Sequence, residues 1–189
     1  MRRWPTPRWT LLAPAGLVVA SIPAPAFAVQ YLTPEQAQVV IFPEADAWEA
    51  RTVTLSPEER AALAARLGAP ARADGVAVRV ARRGGAFVGV VLVDEVIGKF
   101  ERITYAAGVG ADGALRPVEI LAYRESHGQE VRLPAWRRQF AGKTAASPLR
   151  VGEDIANISG ATLSCTHVTE GVRRLAATVE LLRRGGRLP

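Results

Sequence analysis

The sequence predicts an α+β fold in which a small antiparallel sheet packs with helices. Valines alternate with other residues over positions 76–81, and this period of two is typical of a strand. The pair Asp112-Gly113 is a strong hairpin signal, and strands joined by hairpins form antiparallel sheets. Strands and helices do not alternate along the chain, which disfavours a doubly wound fold. Apolar residues near the C-terminus recur at steps of four, three, four and three, which predicts an amphipathic helix: Val168, Val172, Leu175, Val179 and Leu182.

Two helices are predicted before the strands, each from its start signal. The string Thr-Pro-Glu at 33–35 supplies a capping hydroxyl, a proline in the first turn and an acid near the positive helix end. Pro43 ends that helix. The string Ser-Pro-Glu-Glu at 56–59 repeats the signal, and the second helix ends near Gly68. Residues 69–75 are predicted to form a linker.

Four strands and a closing helix follow the linker. The strands are predicted over 76–81, 87–93, 100–107 and 115–123, and the helix from about Ser164 to the glycine pair at 185–186. The predicted organisation is a signal peptide at 1–28, an N-terminal helical segment at 29–74, one domain at 75–184 and a basic tail at 185–189.

The first 28 residues have the layout of an export signal. Three arginines and no acid stand within the first eight residues, an apolar stretch follows over 11–22, and the string Ala-Phe-Ala at 26–28 is typical of a cleavage site. The apolar stretch is short and contains Pro14, so it is a poor membrane span. We therefore expect a periplasmic or otherwise exported protein that begins at Val29. An uncleaved membrane anchor is the alternative.

Composition excludes several classes of protein. The chain has 189 residues, 24 Lys and Arg, 18 Asp and Glu, and a net charge of +6. The predicted signal holds three of the arginines and no acid, so cleavage lowers the charge to +3, and no nucleic-acid partner is expected. One Cys excludes a disulfide framework, a Cys-rich zinc site and an iron–sulfur cluster, and two His are too few for a His-based metal cage.

The chemistry is predicted just before the last helix, in the string Ile-Ser-Gly-Ala-Thr-Leu-Ser-Cys at 158–165. Gly160 permits a tight turn, and the hydroxyls of Thr162 and Ser164 then meet the first free N–H groups of a helix. Ser164 is better placed to cap that helix than to reach outward. Those groups and the helix dipole favour an anion, above all a phosphate. No base stands near these hydroxyls to activate a nucleophile, so the string predicts a phosphate held or joined rather than hydrolysis. A plain capped turn is the alternative.

This string resembles the flavinylation motif of the FMN-binding domain family, which includes the G subunit of the Rnf complex and the C subunit of the sodium-pumping NADH:quinone reductase. In that family the last residue of Ser/Thr-Gly-Ala-Thr carries FMN through a phosphoester bond, which a separate flavin transferase makes from FAD. The resemblance implies that Thr162 is the attachment residue. It also implies FMN contacts for the neighbours of Thr162 in the string: Ser159, Gly160, Ala161, Leu163 and Ser164.

The resemblance extends over roughly residues 75–184, the predicted FMN-binding domain. The segment 123–128 resembles a Glu-Thr/Ser-x-Gly segment of the family, which implies that Glu125, His127 and Gly128 lie near the flavin. Trp136 continues the match and is interpreted either as a shield for the flavin ring or as a core residue.

One position departs from the family pattern. The family motif commonly has an Asp three residues before its Ser/Thr, and this chain has Ala156 there, with Asp154 and Asn157 nearby. Covalent attachment, reversible binding of FMN and absence of flavin therefore all stay open.

The resemblance implies an exported electron-transfer protein in which FMN moves one or two electrons. A flavin transferase and a membrane-associated redox partner are the expected partners. No catalytic residue is predicted, so an electron carrier or redox-complex subunit is favoured over an enzyme. The alternative is an exported binding or accessory module that holds FMN reversibly or carries no flavin.

Overall fold

The computed structural model describes residues 29–69 and 75–189. The predicted signal peptide at 1–28 and most of the predicted linker lie outside the described residues. Within these ranges, none of the helices combines the length and the apolar composition needed to cross a membrane.

In the part of the chain that the structure describes, six strands form one antiparallel sheet, which confirms the predicted α+β class. They are β1 (Val29–Gln30), β2 (Ala47–Thr54), β3 (Gly75–Arg83), β4 (Ala86–Ile97), β5 (Arg102–Gly110) and β6 (Glu119–Tyr123). Their order in the sheet is β1-β6-β5-β4-β3-β2. Strands β2 to β6 therefore follow one another as neighbours, and β1 closes the far edge beside β6. The last predicted strand is shorter than expected, because only residues 119–123 of the range 115–123 join β6.

Four α-helices within the described ranges accompany the sheet: α1 (Pro34–Ile41), α2 (Pro57–Leu67), α3 (Pro134–Arg137) and α4 (Thr162–Arg184). The first two begin where the sequence predicts, each through a reciprocal capping box. In α2 the Glu59 N–H donates to the Ser56 hydroxyl at 3.2 Å, and the Glu59 carboxylate accepts from the Ser56 N–H at 2.7 Å. Gly68 ends α2 in the left-handed conformation, with φ of 70°.

The N-terminal segment was predicted to be helical, but it also contributes two strands to the sheet. Strand β2 lies between α1 and α2 and pairs with β3 along its whole length. Strand β1 pairs with the end of β6, with Val29 opposite Tyr123. The segment 29–69 is thus built into the same sheet as the rest of the chain. Where the predicted domain begins and ends stays a prediction.

The two faces of the sheet are covered by different helices. Helix α1 covers one face with a small apolar cluster around Phe42. Helix α4 packs on the other face over the main core. The predicted stripe of α4 is buried at every position: Val168, Val172, Leu175, Val179 and Leu182.

Helix α4 lies very close to the sheet at Gly171. A Cβ there would lie 2.2 Å from the Tyr105 hydroxyl oxygen, so only glycine fits. Next to this contact the Tyr105 hydroxyl donates to Asp94 at 3.0 Å, and Arg174 of α4 pairs with the same carboxylate at 2.5 Å. The half-buried Arg174–Asp94 pair and the close approach at Gly171 fix the position of α4 along the sheet.

The end of β4, the start of β5 and the end of β6 lie at the same end of the sheet. The register places Tyr123, the last residue of β6, opposite Ile103 near the start of β5. Ile97, the last residue of β4, pairs with Arg102. The β4–β5 turn (residues 98–101) and the loop after β6 (residues 124–128) therefore lie at one end of the sheet.

Truncation of the buried stripe tests the packing of α4. We expect Leu175→Ala to lower the free energy of unfolding by about 2–4 kcal/mol, because it removes buried methyl groups and leaves a cavity. Leu133→Ala is the matched control, since the Leu133 side chain is 54% exposed. It should cost no more than about 0.5 kcal/mol. Chemical denaturation measures both, and equal losses would show that the buried face is wrongly assigned.

Candidate flavin site

A cleft of about 280 Å³ lies at the end of the sheet where the β4–β5 turn and the loop after β6 are found, and we call it the helix-end cleft. The β4–β5 turn, the loop after β6 and the start of α4 line it. The lining residues are Lys99, Phe100, Glu125, Ser126, His127, Gly160, Ala161, Thr162, Leu163 and Ser164. Two segments that were predicted to lie near a flavin therefore share one cleft. More than thirty residues separate them in the sequence.

Glu125 holds the β4–β5 turn in place. Its Oε1 accepts hydrogen bonds from the backbone N–H groups of Phe100 at 2.6 Å and of Glu101 at 2.9 Å, and also from that of Lys99. A Cβ at Gly98 would lie 2.6 Å from the same oxygen, so the turn needs glycine there. Partial burial favours a higher pKa for Glu125, but the three N–H donors and the Lys99 charge outweigh it and lower the pKa.

Tyr123 joins the loop after β6 to the start of α4. Its side chain is buried, and its hydroxyl lies against the His127 carbonyl and 3.1 Å from the Ser164 Oγ. A carbonyl only accepts, so the Tyr123 hydroxyl donates to His127 and the Ser164 hydroxyl donates to Tyr123. Burial raises the pKa of Tyr123, which keeps the phenol protonated for this role.

Gly128 packs directly on the turn before α4. Its φ is 82°, and a Cβ would lie 2.8 Å from the Tyr123 hydroxyl and 3.1 Å from the Ala161 Cβ. A glycine facing an alanine thus lets the two segments touch. Gly160 adopts φ of 84° with open space around it, as its predicted turn requires.

The first turn of α4 has no side-chain cap. The helix begins at Thr162, two residues earlier than predicted, and its N-cap Ala161 has no hydroxyl. Ser164 was predicted to cap the helix, and this is wrong, because its buried hydroxyl is bonded to Tyr123 instead. Among the described residues no acceptor pairs with the N–H groups of Thr162, Leu163 and Ser164. These free donors and the helix dipole fit an anionic group.

Thr162 places an exposed hydroxyl beside these donors. Its Oγ1 accepts a hydrogen bond from Asn157 Nδ2 at 3.0 Å. Asp154 does not take the place of the missing motif carboxylate, because it accepts from the Leu149 and Arg150 N–H groups and pairs with Lys143 at 3.0 Å. In the described part of the chain, the side-chain neighbour of the Thr162 hydroxyl is therefore an amide.

Of the nine predicted site residues, seven line the cleft. Gly128 lies behind it as packing, and Ser159 is exposed outside the lining. Sequence reasoning missed Lys99, Phe100 and Ser126 as lining residues and Tyr123 as the link between segments. Trp136 is buried, donates from Nε1 to the Ala156 carbonyl at 2.8 Å and does not line the cleft, so the core interpretation is correct.

A larger cavity, of about 460 Å³, lies beside the C-terminal half of α4. Arg183 lines it, but its guanidinium already donates to the carbonyls of Gly110 and Ala111. The free N–H groups and the exposed Thr162 hydroxyl are at the other end of the helix. The helix-end cleft is therefore the better candidate site despite its smaller volume.

Residues 98–177 match the model of the FMN-binding domain family. This match supports an FMN-binding domain over these residues. The match begins at the β4–β5 turn and ends within α4, so it includes every segment that lines the helix-end cleft. FMN is the cofactor that the match indicates, as predicted. No curated protein matches the chain significantly.

Removal of the Tyr123 hydroxyl tests the link between the loop and α4. We expect Tyr123→Phe to lower the free energy of unfolding by about 1–3 kcal/mol, because the buried Ser164 hydroxyl loses its acceptor. Tyr31→Phe is the matched control, since no hydrogen bond involves the Tyr31 hydroxyl among the described residues. Urea denaturation of both variants measures the difference, and equal midpoints would contradict the role of Tyr123.

The lowered pKa of Glu125 predicts a pH-dependent contribution to stability. The folded protein holds this carboxylate ionised at lower pH than the unfolded chain does, so the contribution is full above the ordinary Glu pKa of 4.5 and is lost as pH falls below it. We expect Glu125→Gln to cost on the order of 1–2 kcal/mol at pH 7 and much less near pH 3. Glu101→Gln, in the same turn, is the control. A cost for Glu125→Gln that does not change with pH would overturn this account.

Proposed function

We propose that this protein is an exported electron-transfer protein that carries FMN in phosphoester linkage to Thr162. One observation carries the proposal: Thr162 presents an exposed hydroxyl at the uncapped N-terminus of α4, within the helix-end cleft of an FMN-binding domain. The family match supports FMN as the cofactor. The linkage, the location and the electron-transfer role are the proposal.

The surroundings of the three hydroxyls in the string support Thr162 as the attachment residue. Ser164 is buried and donates to Tyr123, so its oxygen cannot reach outward. Ser159 is exposed but does not line the cleft. Thr162 is exposed and lines the cleft, and its Oγ1 is held from one side by Asn157. It alone combines access with a position beside the free N–H groups of α4.

The start of α4 would stabilise the phosphate. The unpaired N–H groups of Thr162, Leu163 and Ser164 are donors for phosphate oxygens, and the helix dipole adds about 0.3–1 kcal/mol for a negative charge at this position. In the proposed modification, the Thr162 Oγ1 bonds to the phosphorus of the FMN half of FAD. The bond from that phosphorus to the AMP oxygen breaks, AMP leaves with the electron pair, and the threonine proton passes to the transferase or to water.

The remaining cleft residues suit an electron carrier better than an enzyme. When bound, the flavin supplies one- or two-electron chemistry, and the protein holds it and sets its potential. The Glu125 carboxylate is engaged by backbone N–H groups, and His127 is exposed with its carbonyl bonded to Tyr123. Neither residue is paired with a nucleophile in the described structure. We also propose two partners for this carrier: a membrane-associated redox partner, and a flavin transferase as the modifying enzyme.

The acceptor assignment is tested by mass. We expect the protein produced with a flavin transferase to gain the mass of FMN less water on the peptide that contains Thr162, and Thr162→Ala to abolish this gain. Ser159→Ala is the matched control and should keep the adduct, because it removes a hydroxyl from the same string. An adduct that persists in Thr162→Ala would contradict the assignment. If the wild-type chain gains no mass, Ala156→Asp tests whether the missing carboxylate is the reason.

Export is tested at the N-terminus of the protein isolated from its native host. We expect the mature chain to begin at Val29 and to be found outside the cytoplasmic membrane, because the Ala-Phe-Ala string at 26–28 fits signal cleavage. N-terminal sequencing and fractionation measure this. A chain that retains residues 1–28 would show that the segment is an anchor or is not a signal.

A further inference from the structure

A phenyl ring is presented to solvent at the edge of the helix-end cleft. Phe100 is 74% exposed in the β4–β5 turn and lines the cleft together with Thr162. Leu163, which follows Thr162, lines the same cleft and is 45% exposed. Exposing a phenyl ring instead of burying it forgoes about 1.5–3 kcal/mol of hydrophobic stabilisation. A ligand in the cleft that covered these two side chains would recover part of that stabilisation.

The turn that carries Phe100 is held firmly from two sides. On one side the Glu125 carboxylate accepts the backbone N–H groups of the turn, Phe100 included. On the other side, the His167 Nδ1 of α4 lies 2.6 Å from the Ile97 carbonyl and 2.9 Å from that of Gly98. Both partners of His167 are acceptors, so Nδ1 carries the proton. The backbone beneath the phenyl ring is thus fixed to both the loop after β6 and α4.

The lining of the cleft has a polar part and an apolar part. Free N–H groups and the Thr162 hydroxyl form the polar part at the start of α4, and Phe100 and Leu163 form the apolar part. FMN has the same division, because it joins a phosphate to an aromatic ring system through a polar chain. Lys99 adds a positive charge, with Nζ 4.9 Å from the centroid of the Phe100 ring.

We propose that Phe100, together with Leu163, is the contact surface for the isoalloxazine ring of FMN, and that the Glu125 and His167 contacts hold Phe100 in place for it. This rests on the proposed function, because it takes the phosphate of FMN to be at Thr162. Aromatic contacts of this kind contribute about 0.5–1.5 kcal/mol beyond the area that they bury. The role assigned to Phe100 is therefore to orient and shield the ring rather than to attach the cofactor.

Substitution of Phe100 by tryptophan tests the contact directly. An indole in contact with a flavin quenches its fluorescence by electron transfer, whereas a distant indole does not. We expect Phe100→Trp to lower the flavin emission of the loaded protein severalfold compared with the wild type. Val39→Trp is the matched control, because Val39 is 55% exposed on α1, which packs on the opposite face of the sheet. Its emission should equal that of the wild type.

Phe100→Ala provides a second measurement on the same loaded protein. We expect iodide to quench the flavin more efficiently in Phe100→Ala than in the wild type, because the ring loses its cover. Unchanged iodide quenching, or equal emission from Phe100→Trp and Val39→Trp, overturns the proposed contact.

The mass of the Thr162 peptide separates this failure from a failure of the proposed function. An adduct without quenching in Phe100→Trp rejects the ring contact and keeps the attachment. If no adduct forms, the same emission measurement is made with added FMN, and quenching there keeps the contact and rejects the covalent bond. A protein that gains no adduct and binds no FMN rejects both proposals.

Discussion

The hydrogen bond between the hydroxyls of Tyr123 and Ser164 is the interaction on which the candidate site depends. It joins the last residue of β6 to the first turn of α4, and the same phenol holds the His127 carbonyl. The N-cap residue Ala161 has no hydroxyl, and the buried Ser164 hydroxyl is bonded to Tyr123. The N–H groups at the start of α4 are left for a ligand as a direct consequence, and Gly128 and Ala161 provide the close contact that makes the bond possible.

The rest of the fold fixes the place of that first turn. Gly171 lets α4 lie against Tyr105, and the Arg174–Asp94 pair sets the position of the helix along the sheet. The antiparallel register brings the β4–β5 turn and the loop after β6 to the same end. Glu125 and His167 then tie the turn to both neighbours. The cleft is thus assembled from side chains on a sheet end and a helix end rather than from one long loop.

Local signals explain what could be predicted from the sequence. The capping boxes at Thr33 and Ser56 lie within four residues of their partners, and the apolar stripe of α4 repeats within one helix, so both are readable without the fold. Thr162 was also assigned from a local string, and its role in attachment stays a prediction. Strand β2 was missed because it is an edge strand in which Val53 alone is fully buried, so it lacks a clear alternation.

Contacts between distant residues explain what could not be predicted. Ser164 has the position of a helix cap in sequence, but its partner Tyr123 is 41 residues away. Phe100 was assigned to the start of a strand, and its position at the cleft depends on Glu125, which is 25 residues further along the chain. Which hydroxyl is buried and which is exposed decides the chemistry of the string at 159–164, and only the packing of the loop after β6 determines that.

Phosphorus NMR of the purified yellow protein tests the central claim most directly, because it reports the chemical state of the phosphate that α4 would hold. A phosphate bound to both the flavin chain and Thr162 is a diester and has no ionisation near neutral pH. A reversibly bound FMN keeps a monoester, whose second pKa is about 6. We expect one phosphorus resonance, whose chemical shift stays constant between pH 5 and 8 and which remains with the polypeptide after denaturation. A resonance that titrates over this range, or that leaves with the small-molecule fraction, would contradict it.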